Sequence, residues 1–150
     1  MGTAVRYLVV DGHSVIFAWE ELRSLHQQDR RQARTLLIRS LEQLHDTSSW
    51  RVTLVFDGKL GGKPEKGDPA GMAVLYGTID CTADSIIERL VGKAPAPGQV
   101  TVVTADGGER ETVEAMGAFC LSPDWLKEEL STQSALWQQT MRQINRRARW

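Results

Sequence analysis

A chain of 150 residues, 41% hydrophobic and 25% charged, is long enough to bury one real core and has the balance of an ordinary soluble protein. Its formal net charge of −1 excludes a global cationic field, so any grip on nucleic acid must come from local patches. No apolar run approaches a membrane span and the N-terminus has no signal-peptide core, so we expect a cytoplasmic protein with no membrane partner.

The first element is the β-rich run Tyr7-Leu8-Val9-Val10, which ends abruptly in Asp11-Gly12 and gives way to a helical pattern. A buried parallel strand with an acid at its carboxyl end reads this way. Val15, Ala18, Trp19, Leu22 and Leu25 then fall at helical spacing, and Asp29 with Gln32 offers a capping start for a second helix. That helix runs to about Leu44 with Ala33, Leu36, Leu37, Leu41 and Leu44 on one face. A strand from Val52 to Phe56 ends in Asp57, and Gly58 to Gly71 is too rich in glycine and proline for an element. We read it as a loop on the edge where Asp57 lies. Met72 to Tyr76 reads as a third strand.

Thr82 can cap a third helix that buries Ile86, Ile87, Leu90 and Val91. After the turn Pro95-Ala-Pro97-Gly98 comes the strand Val100 to Thr104, followed by Ala105-Asp106. A helix from Asp106 to Met116 should close at Gly117, and Ala118 to Leu121 is a short fifth strand. Ser122 caps a last helix with Pro123 at its first position, and that helix is expected to break near Ser131 to Ser134. Strands alternating with helices at these spacings predict a parallel, doubly wound α/β sheet. Cys81 and Cys120 fall in no metal-binding spacing and read as reduced thiols.

Three strand-like runs therefore end in Asp11, Asp57 and Asp106, and ligands of such sheets sit outside the carboxyl ends of the strands. Asp84 and Glu88, four apart on one helix, share a face. Oxygen donors of this kind suit Mg²⁺ or Mn²⁺ working on a phosphate, and the three scattered histidines argue against zinc. Each acid also has a purely local account. Asp11-Gly12 and Asp57-Gly58 can be turns, Asp106 with Glu109 is a capping pattern, and Asp84 suits a first helical turn. The pattern alone leaves both accounts open. Other phosphate chemistries fit poorly, because Gly61-Gly62-Lys63 is followed by Pro64 and no dinucleotide fingerprint follows the first strand.

Val10-Asp11-Gly12-His13-Ser14 resembles the D-G-Y-N opening of the YacP-like group of NYN domains, within the PIN-like and flap-endonuclease-like nuclease superfamily. It is equally similar to the D-G-H-S that opens many bacterial DNA polymerase I 5′-nuclease domains. Phe56-Asp57-Gly58-Lys59 resembles that superfamily's F-D-G-K, Thr82 to Glu88 resembles T-A-D-D-x-I-E, and Val103 to Asp106 resembles V-T-S-D. The resemblance implies one three-layer PIN-like (Rossmannoid) domain over 1–150, with about five parallel strands in the order 3-2-1-4-5 and helices on both faces. It implies an Mg²⁺ or Mn²⁺ site on Asp11, Asp84 and Asp106, with Asp57 and Glu88 as further catalytic candidates, and hydrolysis of RNA phosphodiesters on or near the ribosome. Ser14 stands where the family has Asn, and Ser85 replaces the second Asp of T-A-D-D, removing one negative charge.

Positive groups must hold the strand. Candidates are Lys59, Lys63 and Lys66 on the loop, Arg110 one turn beyond Asp106, and Arg146, Arg147 and Arg149 in a basic helix or tail over about 135–150, with Ser14 as a further contact. Solvated lysines and a helix end favoured by its dipole account for the same residues. Two functions remain open. One is a metal-dependent endoribonuclease, acting as monomer or weak homodimer. The other is a non-catalytic RNA- or ribosome-binding module on a degenerate NYN fold.

Overall fold

The computed structural model describes residues 5–58, 71–133, 139, 141–144 and 146. Five parallel strands form one sheet in the order β3-β2-β1-β4-β5. They are β1 (Arg6–Asp11), β2 (Trp50–Phe56), β3 (Ala73–Tyr76), β4 (Val100–Val103) and β5 (Phe119–Leu121). The α/β class and the strand order are those expected. β1 lies between β2 and β4, pairing Val10 with Leu54 on one side and with Val103 on the other.

Alternation along the strands distributes the core over both faces. Leu8, Val10, Leu54 and Phe56 pack with Val15, Ile16 and Trp19 of α1 (Gly12–Ala18) and its C-cap. Leu22 of α2 (Glu20–Gln28), Leu37, Leu41 and Leu44 of α3 (Arg30–Thr47), and Leu126 and Leu130 of α6 (Pro123–Gln133) complete that layer. On the opposite face, Val9, Val55, Val100 and Val102 meet Ile87 and Val91 of α4 (Ala83–Lys93) and Val113 of α5 (Gly107–Ala115). Full burial of one such side chain contributes about 1.5–3 kcal/mol, so either layer supplies far more than any surface contact.

The helix starts are local chemistry. Asp29 Oδ1 accepts from Gln32 N at 3.1 Å and Thr82 Oγ1 accepts from Ser85 N at 3.3 Å, the caps read from sequence. Gly117 closes α5 at φ 96°, where a side chain would be strained. Where one continuous helix was expected from Val15 to Leu25, the chain breaks at Trp19, whose backbone is extended (φ −89°, ψ 120°). The buried indole donates from Nε1 to the carbonyl of Pro123 at 2.8 Å, a partner 104 residues away. Strand β2 begins at Trp50, two residues before the expected Val52, where the Arg6 guanidinium covers the indole at 4.1 Å. Cys81 is half-buried and Cys120 buried, and both are free thiols. No helix among the described residues is long and apolar enough to cross a membrane. The loop with Lys59, Lys63 and Lys66, and Arg147 and Arg149 of the tail, lie outside the described residues.

Candidate metal centre

Asp11 ends β1 and caps α1 at once, so its carboxylate is held at the carboxyl edge of the central strand. This tight strand-to-helix turn requires Gly12, because a Cβ there would lie 2.5 Å from Cδ1 of Phe56. Ser14 Oγ donates to Asp11 Oδ2 at 2.9 Å, and the Ser14 amide reaches Oδ1 at 3.4 Å. Thr104, just beyond β4, brings its hydroxyl within 3.1 Å of Asp11 Oδ2 and 3.2 Å of Glu109 Oε2, while accepting from the Asp106 amide at 3.1 Å. One hydroxyl proton cannot serve both carboxylates. With Ser14 donating to Asp11, Thr104 is left to serve Glu109.

Glu109 occupies the first turn of α5, and Asp106 caps that helix. Oδ1 of Asp106 accepts from Gly108 N at 2.9 Å and from Glu109 N at 3.3 Å. On the other side, the cap at Thr82 sets Asp84 in the first turn of α4. One carboxylate oxygen from each of Asp11, Asp84 and Glu109 falls within 4.8 Å of the others. Asp11 and Glu109 are only 6% and 4% exposed, whereas Asp84 is exposed. The group is therefore open on the Asp84 side, and a ligand must enter there.

Crowding shows in proton affinity. Burial, then the charge of Asp11, then hydrogen bonding to Asp84 and its charge push the Glu109 carboxyl up to about 9. Glu109 Oε1 is buried and receives no N–H or hydroxyl donor from the protein, its polar neighbours being the carboxylates that raise its proton affinity. A divalent cation answers both features, since it lowers the repulsion and gives that oxygen a positive partner. An all-oxygen donor set with one open side suits Mg²⁺ or Mn²⁺. The three residues fit such an ion.

Among the acids read from sequence, Asp11 and Asp84 come together in this group. Asp106 is not one of the three, and its Oδ1 is committed to the cap. Asp57 follows β2 and is half-buried, and Glu88 is half-buried one turn beyond Asp84 on α4. Glu109 was read only as a capping partner. Its sequence signal is spacing, for it lies four residues before buried Val113 and so on the inner face of α5. Ser14 spends its hydroxyl on Asp11. Arg110 is exposed, pairs through Nε with Glu114 Oε1 at 2.8 Å, and lines an open cleft of about 360 Å³ with Thr104, Asp106 and Ser122. Arg146 is exposed and helical.

Known proteins resemble this chain over most of its length. The YacP-like NYN domain family matches residues 8–150. The uncharacterised protein YacP of Bacillus subtilis (strain 168) is 31% identical over 127 residues, covering 83% of this chain and 75% of that protein. The crystal structure of Rae1 (YacP) from Bacillus subtilis superposes with a TM-score of 0.74 at 30% identity, covering 95% of this chain and 79% of that one. Its W164L mutant gives 0.71 at 27% identity, covering 94% and 77%.

Proposed function

Because this chain belongs to the YacP-like NYN domain family, a group with a PIN-like nuclease fold, we propose that it is a metal-dependent ribonuclease cutting RNA internally. The observation that carries the reading is the convergence of Asp11, Asp84 and Glu109, whose ligand oxygens lie within 4.8 Å of one another. These three residues would hold Mg²⁺ or Mn²⁺. When bound, such an ion supplies Lewis-acid activation of water and neutralises charge on the scissile phosphate. Ser14 and Thr104 fix the orientation of the two buried carboxylates. Glu88, one turn beyond Asp84 on α4, would take the proton of the attacking water, and the leaving 3′-oxygen would be protonated from solvent. Asp106 holds the first turn of α5, and with it Glu109, in place. RNA enters from the Asp84 side, either free or on the ribosome.

Purified protein incubated with single-stranded and structured RNA should cleave with Mn²⁺ or Mg²⁺ and not with EDTA. Asp11→Asn and Glu109→Gln should each abolish cleavage while remaining folded by circular dichroism. Intact RNA under both ions would overturn the proposal.

One observation favours a second reading. Ser85 places a neutral hydroxyl, 3.1 Å from Thr82 Oγ1, beside Asp84 where the resembling motif has an acid. An RNA- or ribosome-binding module without catalysis would show binding with no cleavage, and binding indifferent to Glu109→Gln.

A further inference from the structure

We propose that His13, Phe17, His26, Arg30 and Arg34 form a stacking platform that receives a single-stranded RNA segment leading out of the acid site. The proposal takes its ligand from the ribonuclease reading and adds where and how the strand is held.

The platform begins at the site itself. Asp11 caps α1, His13 is the second residue of that helix, and Phe17 is one turn further on the same face. Phe17 lies six helical steps beyond Asp11, a rise of about 9 Å. The rings of His13 and Phe17 lie 4.5 Å apart at an interplanar angle of 40°. Both are exposed, Phe17 to 39%, whereas the other large apolar side chains of α1 to α3 are buried or half-buried. Behind them His26, only 8% exposed, meets Phe17 edge-on at 5.0 Å and 69°, and so fixes the ring's tilt. The result is an anchored aromatic surface that starts two residues after Asp11.

Charge selects the occupant. Arg30 is exposed in the first turn of α3, and it and Arg34 are close enough to His26 to lower its proton affinity. The first turn of α3 contains no acid, and the carboxylate at its N-cap, Asp29, is bonded to the Gln32 amide. Aromatic faces beside arginines suit a strand that offers bases to stack and phosphates to pair, which is what unpaired RNA presents. A duplex keeps its bases stacked inside and would use only the arginines.

The test is binding without chemistry. In EDTA, fluorescence anisotropy measures the affinity of the full-length protein for a short unpaired RNA containing 2-aminopurine. Phe17→Leu, which keeps the apolar bulk, should weaken binding by about 5- to 100-fold and remove the base's quenching, while Phe17→Tyr restores both. An oligonucleotide of the same length without bases should bind wild type and Phe17→Leu alike. Arg30→Gln should flatten the salt dependence by about one slope unit. The platform is overturned if Phe17→Leu keeps wild-type affinity and quenching, or loses as much affinity for the baseless strand. If wild type cleaves RNA while Phe17→Leu binds normally, the platform alone fails. If wild type neither binds nor cleaves RNA, the ribonuclease reading fails with it.

Discussion

The metal-free protein should become less stable as pH rises through neutrality, and Glu109 is the reason. Its carboxyl is raised from 4.5 to about 9 in the folded protein. Between those values the native state holds a proton that the unfolded chain has released. Stability then falls with rising pH, fully present below the unfolded value and lost as pH climbs towards the folded one. The slope is about 1.4 kcal/mol per pH unit, so raising pH from about 6.5 to about 8 removes up to about 2 kcal/mol. His26 is shifted the opposite way, its proton affinity lowered by burial first, and opposes the trend only below its ordinary value of 6.5. The window above that value isolates Glu109. For a chain of this length about 2 kcal/mol corresponds to roughly 4–8 °C in Tm. Thermal melts in EDTA should show that loss for wild type and little of it for Glu109→Gln, which should be the more stable of the two at the higher pH. Saturating Mn²⁺ should invert the order, because it stabilises only a folded protein that can bind it. Equal slopes for wild type and Glu109→Gln would refute the crowding argument, and with it the assignment of Glu109 to the site.

Two further perturbations separate architecture from chemistry. Asp106→Ala removes the cap on Gly108 N and Glu109 N and should cost about 0.5–2 kcal/mol in denaturant melts, whereas Asp106→Asn keeps a capping oxygen and most of the stability. Mn²⁺ affinity by calorimetry should change little in Asp106→Asn, and a loss as deep as in Glu109→Gln would place Asp106 on the ion. Gly12→Ala forces a methyl group to 2.5 Å from the Phe56 ring and should cost about 1–3 kcal/mol. Phe56→Leu in the same chain should recover part of that loss, and strictly additive costs would show that the two residues do not clash.

How much of this was legible in the sequence depends on how far each cause acts along the chain. The caps at Asp29 and Thr82 were readable because cap and amide are three residues apart. The strands were readable because a doubly covered parallel strand needs an almost unbroken apolar run, and Val9-Val10 and Val102-Val103 supply one. The break at Trp19 was not readable, since apolar spacing continues across it and its cause is the carbonyl of Pro123. The cap that joins Asp106 to the Glu109 amide was readable, but the burial of the Glu109 carboxyl beside Asp11 was not. Only its phase relative to Val113 turns it inward.

The convergence of the acids is the least local feature of all, for it depends on strand order. In the order 3-2-1-4-5 the chain winds one way from β1 through β2 to β3 and the other way from β4 to β5. The crevice opens where the winding reverses, between the carboxyl ends of β1 and β4. Asp11 ends one of those strands and Thr104 follows the other, and their side chains meet at 3.1 Å. The connection into β4 runs through α4 and the connection out of it through α5, so the first turns of both helices bring Asp84 and Glu109 to the same crevice. Spacing along the chain shows that acids end the strands and begin the helices. Only the reversal at β1 and β4 decides which of them meet, and it brings Glu109 to Asp11 and Asp84 while Asp106 caps the helix that carries it.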